Sequence, residues 1–183
     1  MAYTMKDVFY LDTSIATTTS AGDGIATLDL SSYVDPIARG KSKGQGLAIY
    51  KVHWDVVTTA DNSPVAAATT GTFRAGLISF SGAPSAAVGG ASLTAGILAA
   101  SNDLMISGFD FWAGGTAAGD PAPRVFLEPS KEVPYVVVRD QVNLMVDIST
   151  AMSVASTINI RMECATVTLD QSTLNQLLRT QTV

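Results

Sequence analysis

Acid–base chemistry by imidazole has one seat in this chain, since His53 is the only histidine among 183 residues. It lies between Val52 and Trp54, inside an alternating apolar stretch. A lone histidine excludes the multi-histidine metal sites that some all-β enzymes use, and zinc sites of ordinary make-up with them. Cys164 is likewise alone, so no internal disulfide forms. It follows Ile158, Ile160 and Met162 at two-residue spacing, which makes it a small buried hydrophobe and not a nucleophile. Glycoside hydrolysis needs two carboxylates converging on one cleft. The acids here are dispersed, as Asp61, Asp103, Asp120 and Asp140 illustrate. No stretch has the dense acid spacing of a calcium loop. The glycine-rich runs GKSKGQG and AGGTAAG lack the residue order of a phosphate-binding loop. The sequence therefore assigns no catalytic, cofactor-binding or metal-ligating residue, and the expectation is a protein that is not an enzyme.

Two contact candidates remain. Arg39, Lys41 and Lys43 form the only basic cluster, set among glycines and a serine. Such a run reads first as a solvated turn and second as a weak nucleic-acid or partner contact. His53 is the other. Its charge changes near neutral pH, so a pH-sensitive contact between subunits suits it better than catalysis. Trp54, Trp112, Tyr50 and Phe111 could build a carbohydrate platform, but their place in apolar strands points to core packing.

Composition narrows the classes further. Charged residues make up 15% of the chain, against about 25% in ordinary soluble domains. No run of about 18 apolar residues exists to cross a membrane as a helix. The start, MAYTMKDVFYLD, lacks the basic and apolar blocks of a signal peptide, so synthesis in a cytoplasm is expected. A surface this poor in charge is expected to be covered by large interfaces. The formal net charge of −5 opposes free nucleic-acid binding, which depends on cations against phosphates. The first 38 residues hold one cation, Lys6, against Asp7, Asp12, Asp23, Asp29 and Asp35.

The elements that must position these residues are strands. Residues 46–57, GLAIYKVHWDVV, alternate Ala48, Tyr50, Val52, Trp54 and Val56 against Lys51, His53 and Asp55. That pattern predicts a long, half-buried central strand with Tyr50 and Trp54 in the core and His53 on the other face. Further strands are expected at 6–11, 24–34, 71–81, 104–112, 124–127, 133–138, 141–150 and 154–169. In 71–81 apolar residues fall on both faces, Phe73 and Leu77 against Ile78 and Phe80, which predicts burial on both sides. In 141–150, Val142, Leu144, Val146 and Ile148 face inward and Asn143, Asp147 and Ser149 outward. Leu93, Ile97 and Leu98 after Ser92 predict a short helix. Leu174, Leu177 and Leu178 predict a second within the C-terminal segment, residues 170–183, docking on its own domain or on a neighbour.

Strands without a βαβ rhythm predict one all-β domain over residues 1–183. The expected form is a two-sheet antiparallel sandwich, an eight-stranded jelly roll with one or two short helices. With the strands GQGLAIYKVHWDVV, GTFRAGLISFSG, QVNLMVDIST and VASTINIRMECATVTL joined by loops rich in Ala, Gly, Ser, Thr and Pro, the chain resembles the single jelly-roll capsid proteins of small icosahedral viruses. The resemblance is architectural and rests on no family motif. It implies a structural protein of the virion that self-assembles, many copies closing a shell in the host cytoplasm, with or without co-assembling proteins. Many such proteins neutralise the genome with an Arg-rich N-terminal arm. This chain has none, so any nucleic-acid contact is expected to be indirect or weak. A non-catalytic β-sandwich binding module, an adhesin or a carbohydrate-binding domain, is the alternative, and a jelly-roll enzyme comes third.

Overall fold

The computed structural model describes residues 8–35, 43–66, 69–79, 97–114 and 121–181. Two long strands organise it. β3, Lys43–Thr58, and β9, Ser156–Asp170, run antiparallel along nearly their whole length. In β9 the side chains of Ile158, Ile160, Met162 and Cys164 alternate into the core, as their spacing predicts. β1, Phe9–Ala16, pairs with the other edge of β9 over eight residues. The strand expected to end at Leu11 therefore continues to Ala16. Phe9, Leu11 and Ile15 point inward there, and Asp12 and Ser14 outward, so alternation outweighs the polar composition. β7, Tyr135–Val137, completes a four-stranded sheet in the order β1-β9-β3-β7.

The second sheet contains β2 (Gly22–Asp29), β8 (Gln141–Thr150), β4 (Thr70–Ile78), β5 (Met105–Gly114) and β6 (Ala122–Leu127), in the order β2-β8-β4-β5-β6. β2 starts at Gly22, two residues before the expected strand, and ends early at Asp29, whose Oδ1 accepts from the Ser31 amide at 2.8 Å and starts a turn. With β6 set aside, the hydrogen-bonded pairs nest: β4 with β5, β3 with β7, β2 with β8, β1 with β9. Successive pairs fall in opposite sheets, and every pairing is antiparallel. That winding is a jelly roll. It has nine strands and not eight, because β6 adds an edge to the second sheet.

The main core lies between the sheets. Leu47, Ile49 and Val52 of β3 meet Phe73, Leu77, Phe109, Phe111, Leu144 and Val146. Phe73 stacks on Phe111 at 5.0 Å and Trp54 on Phe109 at 5.2 Å between ring centroids. The Trp54 indole N–H donates to Ser107 Oγ at 2.9 Å, which satisfies its one polar atom. A bulge between Ile49 and Lys51 corrects the alternation read from sequence. One extra residue moves the inward set from odd to even positions. Tyr50 accordingly packs with Ala48 and Ala165 on the outer face, under Val136 and Val167, and not with Trp54.

A second apolar cluster lies outside the five-stranded sheet, where Leu98 and Leu104 cover Ile78, Met105 and Met145. The C-terminal part of β4, Ala75 to Ile78, is thus buried on both faces, as its sequence predicts, while Arg74 stays exposed; Phe80 lies outside the described residues. The helix expected around Ser92 and Leu93 also lies outside them, and Ile97 and Leu98 belong to turns. Asn102 fixes those turns: its side-chain amide donates to Ile97 O at 2.9 Å, and its Oδ1 accepts from the Leu104 amide at 3.1 Å.

The C-terminal helix forms where predicted, as α1, Gln171–Thr180. Asp170 caps it, accepting from the Thr173 amide at 2.7 Å and the Ser172 hydroxyl at 2.8 Å, and these bonds hold its carboxyl below the ordinary range. Leu174 is fully buried against Gly44 of β3, where a Cβ would come within 2.6 Å of a Leu174 methyl. The helix docks on its own domain. Gln181, just beyond it, closes the arrangement. Its Oε1 accepts from the Val138 amide and the Ser79 hydroxyl, each at 3.2 Å, and its Nε2 donates to Val136 O at 2.7 Å. A side-chain amide therefore stands in for a strand residue beside β7.

Candidate functional site

The outer face of the four-stranded sheet carries His53, and register builds its surroundings. Across β1, β9 and β3 the aligned sets are Tyr10, Glu163 and Lys51; Asp12, Arg161 and His53; Ser14, Asn159 and Asp55. Each is outward because its strand neighbours fill the core. The rows give a flat polar lattice of three acids and three bases, flanking a groove of about 760 Å³. Glu163 lies opposite Lys51 and Asp12 opposite Arg161, cross-strand pairs of a mildly stabilising kind, while Arg161 and His53 face each other as two bases.

His53 Nε2 lies 2.9 Å from Glu163 Oε1, with the imidazole 46% exposed and the carboxylate side chain 19%. The bond from His53 holds the Glu163 carboxyl below its ordinary value. The imidazole thus lies within reach of Glu163, in a lattice that also holds Arg161, Lys51, Asp55 and Asp12. Arg161 in turn places its guanidinium carbon 6.0 Å from the ring centre of Tyr10, which is 58% exposed. The arrangement is suited to reversible ionic contact with another surface.

Lys43, the one residue of the basic cluster within the described residues, does not join this lattice. Arg39 and Lys41 lie outside the described residues, and Lys43 is exposed at the start of β3 opposite Asp170. Ten residues of strand, about 33 Å, separate it from His53. Residues 40–44, GKSKG, have the letter spacing of a nucleophile elbow. Such a turn must lead into a helix. Lys43 and Gly44 already belong to β3, so a strand follows Ser42.

The four aromatics that could have made one platform are dispersed. Tyr50 and Phe111 are buried, Trp54 is half-buried between the sheets, and Trp112 is 43% exposed on the outer face of the other sheet. Cys164 is fully buried and its thiol is pushed up to about 12 by desolvation, so it stays protonated and inert. Among the described residues no group of three or more His, Cys, Asp or Glu side chains converges as a metal would require. Also among them, no helix is long and apolar enough to cross a membrane.

Sequence reasoning missed Glu163 as the partner of His53. Both residues are visible as outward positions in alternating strands, but only the register of β3 on β9 brings them together. It also missed Arg74, whose Nε donates to Asp110 Oδ1 at 2.6 Å and whose Nη2 donates to Oδ2 at 2.9 Å, a fork spanning β4 and β5. No protein-family model matches this chain, and no curated protein matches it.

Proposed function

We propose that this chain is a structural subunit that assembles with copies of itself, and specifically a viral major capsid protein whose single jelly-roll domain repeats to form an icosahedral shell. The observation that carries the reading is the open edge of β3. β7 pairs only with Leu47, Ala48 and Ile49. Residues 51–56 are thus laddered to β9 alone among the described residues. Beside that edge opens an apolar groove of about 390 Å³ that includes Trp54, Val56, Phe109 and Pro123. A backbone edge and an apolar groove side by side form a template for a neighbouring chain, and a lone monomer has reason to cover them.

The low charge fraction supports the same reading, because copies that approach closely must not repel one another. Shells close through symmetric contacts, each modest and multiplied by many neighbours. In this reading the subunit resides in the virion, any nucleic-acid contact is indirect, and no catalysis is assigned. His53 with Glu163 forms a subunit contact that responds to pH.

Light scattering on purified protein tests the proposal. A species many times 19.0 kDa that persists on dilution is expected. A stable monomer at high concentration, unchanged by salt, overturns it. The alternative, a binding module, is favoured by one separate observation, the exposure of Trp112.

A further inference from the structure

The open part of the outer face of the five-stranded sheet is a groove of about 390 Å³ whose lining includes Thr72, Arg74, Asp110, Trp112, Asp147 and Ser149. Trp112 is 43% exposed, and its neighbours across the ladder are Thr72 and Ala122, side chains too short to cover an indole. The groove floor beside it is pre-set. The Arg74 fork grips both Asp110 oxygens, and the guanidinium lies 4.7 Å from the ring centre of Phe126. Each carboxylate oxygen keeps a lone pair for a further donor. Thr72 Oγ1 and Ser149 Oγ are 2.9 Å apart, a hydroxyl pair beside the indole.

A rigid aromatic face next to fixed planar acceptors and hydroxyls matches a molecule with a C–H face and a rim of hydroxyl groups. The indole face is electron-rich and meets the slightly positive C–H edges. The polar groups fix orientation, and because Arg74 already locks Asp110, little side-chain freedom is lost on binding. Charge selects among such molecules. The row across the sheet is Asp23, Asp147, Arg74, Asp110, Arg124, three acids against two bases. An anionic sugar or a phosphate is disfavoured there. A protein partner fits less well, because Trp112 stands among Thr72, Ala122 and Asp110 and not in a contiguous apolar patch.

We propose that this groove is a binding subsite for a neutral saccharide, with Trp112 as the platform and Asp110, Arg74, Thr72 and Ser149 bonding to ring hydroxyls. The site is independent of the assembly reading. Saturation-transfer difference NMR suits a weak, millimolar ligand and works on subunits and large particles alike. The probes are the methyl glycosides of glucose, galactose, mannose, fucose and N-acetylglucosamine. At least one is expected to show saturation concentrated on one ring face. Trp112→Ala should reduce that signal at least tenfold and Asp110→Asn should weaken it, with Val133→Ser, at an exposed valine elsewhere, leaving it unchanged. Thermal melting of each variant checks the fold. No signal from any glycoside with the wild-type protein, or a signal that survives Trp112→Ala, overturns the proposal. A Trp112→Ala protein that changes particle size in the absence of any glycoside signal overturns it too, and makes the groove a contact between copies.

Discussion

The two sheets share a core on their inner faces and differ on their outer ones. Outside the four-stranded sheet, β1, β9 and β3 present acids and bases around His53, beside a small apolar cluster of Ala48, Tyr50 and Ala165. Outside the five-stranded sheet, Leu98 and Leu104 fold over Ile78, Met105 and Met145, and only the remaining part, with Asp147, Arg74 and Asp110, stays open. A sheet face is polar where water or a partner meets it and apolar where the chain itself covers it. One domain can therefore hold a rigid double-buried layer and a single-buried layer free for contacts.

Substitutions on the two sides should sort by depth. The largest effect is expected at Phe109, which stacks on Trp54 and lies tilted against Phe73 in the shared core. Phe109→Ala should cost about 3–5 kcal/mol in chemical denaturation. Leu98→Ala, in the cluster outside the five-stranded sheet, should cost about 2 kcal/mol. If Leu98→Ala cost nothing, the outer cluster would not be a second layer. At the rim, Gln181→Ala strands the Val138 amide and Val136 carbonyl and should cost about 1–2 kcal/mol. Faster hydrogen exchange at Val138 would show that the loss is local.

Smaller effects sharpen the electrostatic contrast. Burial, with Asp23 opposite, raises the Asp147 carboxyl above its ordinary value, so ionised Asp147 counts against the folded state and stability falls as pH rises through that value. Asp147→Asn should raise the melting temperature by about 1–2 °C at pH 7 and lose the gain near pH 3. Glu163 has the opposite sign. Its lowered pKa stabilises the fold above the ordinary value of 4.5, and the contribution disappears as pH falls through the lowered one. His53→Ala should shift folding stability by less than about 0.5 kcal/mol at neutral pH. Its effect should appear in assembly, as a difference between about pH 5.5 and 7.5 that the variant loses. Equal pH dependence in wild type and variant would remove His53 from the contact.

What could be read in the sequence follows the same division. β8 begins and ends where alternation places it, with Val142, Leu144, Val146 and Ile148 in the core. Asn143, read as outward, is outward but buried, and accepts from the Thr27 hydroxyl at 2.6 Å. Alternation reports a face and not what covers it. The Ile49/Lys51 bulge left no mark in composition, and it alone moves Tyr50 out of the core. After β3, the turn formers Asp61, Asn62 and Ser63 turn the chain, and Asp61 accepts from Ser63 Oγ at 2.7 Å and from the Thr58 hydroxyl, bonds that bring its carboxyl down to about 2. The lattice around His53 and the groove beside Trp112 were not legible, because both depend on cross-strand register between segments far apart in the chain. The strand 133–138 shrank to Tyr135–Val137, and that shortening is what opens the edge of β3.

The most direct measurement of the assembly proposal is negative-stain electron microscopy of the purified chain at neutral pH. Closed particles of uniform diameter are the predicted result. A field of separate small particles of about the 19.0 kDa monomer's size, persisting at high protein concentration and at both low and high salt, would contradict it.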